Sequence, residues 1–421
     1  MYLCKSFTKI KFNDRETAKT KYMCAKVNIQ DYDFKGKKVL VRVDYNVPLN
    51  EEFQIQDTKR IDASLPTVKK ILDEGGSVIL MSHLGRPKNK EYKYSLKHLV
   101  HYLGNMLSGV NVYFAQDCIG EQTKNIVNSL RAGEVLLLEN VRFYEEEEAG
   151  DVAFAKELAS YGDAFVHEAF STAHRNHATT AVICQFFPND KMYGFLMQKE
   201  IDSLSHIMRN PRRPFTAILG GSKVSSKIKV INNLMDKVDN IIIGGGMCFS
   251  FVKAVGGNIG QSLYEEDMLP IAKEIIRKAA EMQINLYYST DTIAGDMFKN
   301  DAKRSIYNVM AIPDDMMGMD IGLDTSTVYR EIILRSATIL WNGPMGVFEM
   351  DNFSSGTFAI ADAIVKATER GSFSVIGGGD TVSAVNKFHL TDRYNYVSTA
   401  GGAMLEYCEG KQLPGVLAIE N

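Results

Sequence analysis

The chain has 421 residues, 45% of them hydrophobic and 24% charged, and carries a formal net charge of -3. This is ordinary globular composition at a length that suits two domains of about 200 residues. The near-neutral balance argues against nucleic-acid and membrane partners, so any bound anion must be held by a local cluster.

Residues 1–22 are basic and lack an apolar signal core, which predicts a loose extension rather than a secretory signal. Beyond them, short apolar runs alternate with amphipathic stretches. In the first half the runs are KKVLVRVDYNVP, GSVILMSHLGRP, VNVYFAQD, EVLLLENVRF and DAFVHEAF. Helices are predicted over residues 58–74, 95–107 and 151–161, and the run EEEEAG at 145–150 reads as a solvated loop. In the second half the runs are FTAILGGS, NIIIGGGM, NLYYSTD, ATILWNGP, FSVIGGGD and YVSTAGG. There the predicted helices cover residues 223–236, 267–282 and 354–369. Apolar strands alternating with helices predict an α/β protein of two doubly wound parallel-sheet, Rossmann-like domains. A helix from about Gly194, closed by Pro211 and Pro214, is predicted to join them as a hinge. No apolar run approaches the ~20 residues that span a bilayer. The six cysteines show no metal or disulfide spacing, and a reducing, cytoplasmic compartment is expected.

Ligands of open parallel sheets bind beyond the carboxyl ends of the strands. In the second half those ends are glycine: Gly220-Gly221, Gly244-Gly245-Gly246, Gly343, Gly377-Gly378-Gly379 and Gly401-Gly402. Such turns bring backbone N–H groups close to phosphate. Lys223 and Lys227, four apart on one face of a predicted helix, suit a polyphosphate. There is no GxxxxGK[ST] loop, and no GxGxxG fingerprint for a dinucleotide. GGGDT puts Asp380 and Thr381 at a helix N-cap, either as structural caps or with the carboxylate reaching Mg²⁺. WNGPMGVFE carries the only Trp, and its Glu349 is placed to accept from a ribose hydroxyl.

First-half strands end instead in charge and amide groups: Arg42, Asp44 and Asn46; His83 and Arg86; Glu139, Asn140 and Arg142. Arg60, Arg86, Arg142 and Arg175 with His83 suit a small substrate bearing phosphate and carboxylate. The stretch FVHEAFSTAHRNHATT holds three of the eight histidines around Arg175. His167-Glu168 lacks the second histidine of an HExxH zinc motif, and no GxSxG elbow supports a serine nucleophile. An anion clamp centred on Arg175 is favoured, with His174 and His177 as donors or packing and His167 as a structural residue.

Together these motifs resemble the phosphoglycerate kinase family. The resemblance runs from about residue 33 to residue 418, through RVDYNVPL, SHLGRP, LLLENVRF, EAFSTAHRNHAT, GFLMQKE, GGSKVSSKI, IIGGGM, WNGPMGVFE, GGGDT and GKQLPGV. It implies reversible phosphoryl transfer between 1,3-bisphosphoglycerate and ADP, giving 3-phosphoglycerate and ATP, with Mg²⁺, by a monomer whose lobes close. It implies a 3-phosphoglycerate domain of residues 23–193 plus 405–421, and a hinge helix with nucleotide domain of residues 194–404. Asp44, Asn46 and Arg60 would meet the acid's hydroxyl and carboxylate, and His83, Arg86, Arg142 and Arg175 its phosphate. Lys223 would bind the transferring phosphoryl group and, with Arg60, carry catalysis. Lys227 and Thr381 would hold nucleotide phosphates, Asp380 Mg²⁺ and Glu349 the ribose. Gly221, Gly245 and Gly322 would line the adenine pocket, with Asn342 and Gly378 in the same nucleotide set. The chain departs from the common family form at His167, Glu168, Ser171, Ser226 and Ala400. Those departures keep open a degenerate nucleotide-binding or scaffolding protein; a nicotinamide dehydrogenase is the third reading.

Overall fold

The computed structural model describes residues 27–398 and 400–421, so the predicted extension lies outside the described residues. Six parallel strands form the first sheet: β1 (Lys38–Arg42), β2 (Ser77–Met81), β3 (Val112–Phe114), β4 (Val135–Leu137), β5 (Ala164–His167) and β6 (Lys191–Tyr193), in the order β3-β4-β2-β1-β5-β6. Leu40 at its centre pairs with Ile79 on one side and Phe165 on the other, all fully buried. Helices cover both faces, which is why these strands carry no polar alternation.

The second half contributes β7 (Phe215–Leu219), β8 (Asn240–Ile243), β9 (Asn258–Ile259), β10 (Asn285–Tyr287), β11 (Asp291–Gly295), β12 (Arg304–Asn308), β13 (Ala311–Ile312), β14 (Met317–Ile321), β15 (Thr338–Asn342), β16 (Phe373–Gly377) and β17 (Tyr396–Val397). The main sheet is parallel, ordered β10-β8-β7-β15-β16-β17. Strands β11, β12 and β14 make a small antiparallel sheet, and β9 pairs with β13. These side sheets and β6 are not among the predicted runs, so the alternation is not βαβ throughout.

Two local expectations are corrected. The acidic run is a helix, Glu145–Ala149, not a solvated loop, and Glu147 within it is fully buried. The helix expected from residue 223 begins at Ile228. Ser226 Oγ donates to the Lys223 carbonyl at 2.8 Å, and such local side-chain bonds favour a turn over helix.

The joining helix is Phe195–Arg209, burying Met197, Ile201, Leu204 and Ile207. Its first backbone N–H groups are satisfied from the first sheet. Glu168, just past β5, accepts from Leu196 N and Met197 N at 3.1 Å each, and from Thr67 Oγ1 at 2.5 Å. Burial pushes this carboxyl up to about 7, with the three donors opposing. Gly194 leaves the space Glu168 fills: a Cβ there would lie 2.1 Å from Oε2 and 2.4 Å from Cδ. Its backbone is extended (φ -74°), so an alanine meets a steric problem only. Gly194→Ala is expected to cost about 1–3 kcal/mol in denaturant unfolding, and Glu168→Asp in the same chain to recover part of it. An additive pair of losses would remove the steric account.

The C-terminal helix Pro414–Glu420 returns to the first sheet. Gly415 N donates to Ala173 O at 2.8 Å, and Tyr193 Oη to Val416 O at 3.0 Å.

Candidate functional site

Beyond the carboxyl end of the first sheet, basic groups converge. Arg42, the last residue of β1, is fully buried and donates through Nε to Thr179 Oγ1 at 2.8 Å. Its Nη2 lies 3.4 Å from His83 Nδ1. A guanidinium only donates, so Nδ1 accepts and the His83 proton sits on Nε2. Burial, then Arg42, Arg142, Arg175 and Arg60, hold His83 well below its ordinary range. Arg142 is pushed down to about 10 by burial and by Arg175, and its Nη2 is buried without a hydrogen-bond partner. His177 is driven to about 3 by burial and by Arg142, Arg175 and Arg42. Carboxylates face three of these arginines, Glu147 by Arg42, Asp44 by Arg60 and Glu148 3.1 Å from Arg142 Nε, which leaves a positive excess around neutral imidazoles, the setting for an anion.

A hydrogen-bonded chain connects that cluster to Arg60. Arg142 Nη1 donates to Gly85 O at 2.9 Å, Gly85 N to Asn46 Oδ1 at 2.8 Å, and Asn46 N to Asp44 Oδ1 at 3.1 Å. Arg60, at the start of the helix Lys59–Asp73, puts Nη1 2.9 Å from Asp44 Oδ2 and 3.0 Å from Asn46 O. Ser171 Oγ also donates to Asp44 Oδ2. Arg86 is solvent-exposed beside this group, and Arg175 is half-buried with Nε 3.3 Å from His174 Nε2.

His167 ends β5 and is fully buried. Its Nδ1 accepts from Ala169 N at 3.3 Å, Nε2 lacks a hydrogen-bond partner, and a Cβ on Gly415 would lie 2.9 Å from that nitrogen. It therefore packs the returning C-terminal segment. Burial holds it down at about 3. The unfolded chain takes a proton below about pH 6.5 that the fold refuses, so stability present at neutral pH is lost as pH falls from there toward 3, at up to ~1.4 kcal/mol per pH unit. His167→Gln is expected to flatten the acid limb of unfolding free energy by about that slope; equal slopes would contradict it.

The second sheet ends in a different surface. A cavity of about 330 Å³ is lined by Gly220, Gly221, Lys227, Asn342, Gly378 and Asp380, with Thr381 and Gly401 adjoining. Lys227 Nζ donates to Asn342 Oδ1, and burial lowers this ammonium's pKa, with Asp380 opposing. Thr381 Oγ1 accepts from Gly343 N at 2.7 Å. Gly343 has φ +107°, and a Cβ there would sit 2.2 Å from Gly220 O, so the two turns touch through bare backbone. The helix Gly379–Lys387 is capped by Gly378, which puts Asp380 and Thr381 in its first turn rather than at the cap. Lys223 is exposed in the preceding turn, outside the helix and not among the residues lining this cavity, so the two lysines do not share a helix face. The departure at Ala400 brings no backbone strain, since its φ of -110° suits any residue.

A second cavity of about 400 Å³ adjoins the first through Gly221 and Asp380. Gly245, Phe249, Leu263, Met317 and Pro344 line it, and Glu349 stands at its edge. Gly322 is not among its lining residues. It packs under Asp291, where a Cβ would lie 2.1 Å from Oδ2, and its neighbour Ile321 takes the lining place. Asp320, missed in the sequence, also lines this cavity and is pushed up to about 7 by burial while accepting from Gly356 N at 2.7 Å and Ile321 N at 2.9 Å. A larger cavity of about 670 Å³ lies at the opposite, amino ends of the strands, beside Arg213, Asn240 and Asn285, with no glycine turn.

Two lobes meet here. Lys59 Nζ reaches Asn386 Oδ1 at 2.8 Å, and a Cβ on Gly402 would come 3.9 Å from His174 Nε2. Arginine-ended strands on one side of a helical hinge and glycine-ended strands on the other define a two-lobed α/β phosphotransferase architecture. The phosphoglycerate kinase family model matches residues 29–411. A phosphoglycerate kinase of Porphyromonas gingivalis is 50% identical over 418 residues, covering 94% of this chain and all of that relative. A cytosolic phosphoglycerate kinase of Triticum aestivum is 51% identical, covering 92% and 96%. The solved structure of phosphoglycerate kinase from Coxiella burnetii superposes with a TM-score of 0.85 at 38% identity, covering 94% and 98%. The chain belongs to the phosphoglycerate kinase family.

Proposed function

We propose that this chain transfers a phosphoryl group reversibly between 1,3-bisphosphoglycerate and ADP, giving 3-phosphoglycerate and ATP. The observation that carries the reading is the pairing of an arginine-rich cluster in one lobe with a bare-backbone phosphate cradle in the other. Asp44, Asn46 and Arg60 take the acid's hydroxyl and carboxylate, and His83, Arg86, Arg142 and Arg175 its phosphate. His83 serves as a neutral N–H donor from Nε2. Lys227, Asn342, Gly378 and Thr381 hold nucleotide phosphates, Gly221 and Gly245 approach the base, and Glu349 takes the ribose. Lys223 meets the phosphoryl group in flight, with Arg60 on the other side.

Such transfer needs positioning and charge neutralisation rather than a covalent intermediate. Closure of the lobes excludes water from the acyl phosphate. Asp380 belongs to both second-lobe cavities beside Lys227, and one carboxylate plus phosphate oxygens is a fitting donor set for Mg²⁺. Mg²⁺ bound there supplies charge neutralisation on the phosphate oxygens. A monomer in a cytoplasmic compartment is proposed; Cys118, Cys184, Cys248 and Cys408 are buried free thiols, and no described helix is long and apolar enough to cross a membrane.

The test is a coupled assay with ATP and 3-phosphoglycerate. Mg²⁺-dependent turnover by pure protein is expected, and nucleotide binding without turnover would overturn the reading.

A further inference from the structure

We propose that Ser171 is a positioning residue for the phosphoglycerate side, orienting Asp44 and through it Arg60 before substrate arrives. The proposal rests on the reading above, in which Asp44 and Arg60 meet the acid.

Strands β1 and β5 are neighbours, with Arg42 paired to His167. The chain beyond each therefore emerges at one level, Asp44 from β1 and the short turn Phe170–Thr172 from β5. Ser171 Oγ donates to Asp44 Oδ2, the oxygen that also takes Arg60 Nη1 at 2.9 Å. Asp44 Oδ1 accepts from Asn46 N at 3.1 Å. The carboxylate is thus held from three directions: a hydroxyl, a guanidinium and a backbone N–H. Both Arg60 contacts, to Asp44 Oδ2 and Asn46 O, run through Nη1. The rest of the fork stays available to a carboxylate or phosphoryl oxygen.

Removing the hydroxyl leaves Asp44 Oδ2 with Arg60 alone. The carboxylate is then free to rotate, and the pair can tighten on itself at the substrate's expense. Substrate must afterwards break or re-aim that pair on binding, which weakens binding of the acid. Nothing in this chain of contacts reaches the nucleotide cavities, so the nucleotide side should not feel it directly. The turn also lies at the meeting of the lobes: His174, three residues on, packs by Gly402.

The experiment compares the full-length wild type with Ser171→Ala and Ser171→Thr, measuring KM for 3-phosphoglycerate, KM for ATP, kcat and thermal midpoint. Alanine removes the donor and keeps the Cβ; threonine keeps the donor. Ser171→Ala is expected to raise KM for 3-phosphoglycerate about 3- to 10-fold, the size of one charge-assisted hydrogen bond partly offset by water. KM for ATP and the thermal midpoint should be unchanged, and Ser171→Thr should return the 3-phosphoglycerate KM to within about 2-fold of wild type. An unchanged KM for the acid, a parallel rise in both KM values, or no recovery with threonine would overturn the proposal while leaving the kinase reading standing. A wild type without turnover would overturn both.

Discussion

Replacing Arg60 or Lys223 by alanine is expected to lower kcat by about 10²- to 10³-fold, the cost of removing one preorganised charge from a developing transition state. The two residues come from opposite lobes. Arg60 sits at the start of the helix Lys59–Asp73, fixed by Asp44 and Asn46, and Lys223 follows β7 in an exposed turn. Neither is buried, so folding should survive within about 0.5 kcal/mol. If both act on the phosphoryl group in flight, kcat and kcat/KM fall together; Lys223→Ala should leave both KM values little changed, whereas Arg60→Ala should also raise KM for 3-phosphoglycerate, because Arg60 meets the acid as well. Their combined loss should be less than the product of the single losses, because each needs the other's lobe closed to act. Near-wild-type kcat in either variant would remove that residue from the proposed mechanism. A large rise in KM at constant kcat would move Arg60 from catalysis to simple binding.

The main sheets were readable because their strands are short, β-branched and apolar on both faces, a pattern that only a covered parallel sheet satisfies. The side sheets were not, for the same reason inverted. Arg304–Asn308 is largely exposed, and Lys191–Tyr193 is only three residues long, so neither stands out from its flanks. The placement of Asp44, His83, Arg142 and Asp380 just beyond strand ends was legible from position and type. Residues whose value comes from long-range neighbours were not. Lys223 looked helical because its spacing to Lys227 is right, and spacing does not register that the Ser225-Ser226 pair bonds its own turn and Glu265. Gly322 looked like a pocket glycine, and its close neighbour is a buried carboxylate 31 residues earlier in the chain, Asp291. Asp320 is the penultimate residue of a strand in the small antiparallel sheet, so missing that sheet hid it. Glu168 was noticed as a departure, and its purpose appeared only with the hinge helix standing over it.

Glu147 is the plainest case of a charge run hiding a structural ion, and it carries the second large prediction. Four glutamates in succession read as a solvated face, yet this one has no exposure at all. Glu147 Oε1 accepts from Thr179 Oγ1 at 2.6 Å and Oε2 from Thr179 N at 2.9 Å. Thr179 Oγ1 in turn accepts from Arg42 Nε at 2.8 Å, and Arg42 Nη2 stands 4.0 Å from Glu147 Oε1. Glu147 is thus the buried counter-charge beneath Arg42, the guanidinium that fixes the His83 tautomer. Glu147→Ala leaves that guanidinium in the core without its acid and is expected to destabilise the fold by about 3–5 kcal/mol. Glu147→Gln keeps one of the two acceptors for Thr179, loses the charge and turns the other oxygen into an NH2 donor, so its cost should be smaller than alanine's, about 1–3 kcal/mol. The only Trp, Trp341, lies in the second sheet, which separates the readouts. Far-UV circular dichroism should show an earlier first-lobe transition that Trp fluorescence does not follow. A loss below about 1 kcal/mol in Glu147→Ala would mean that Arg42 finds another partner or water, and the counter-charge account would fall.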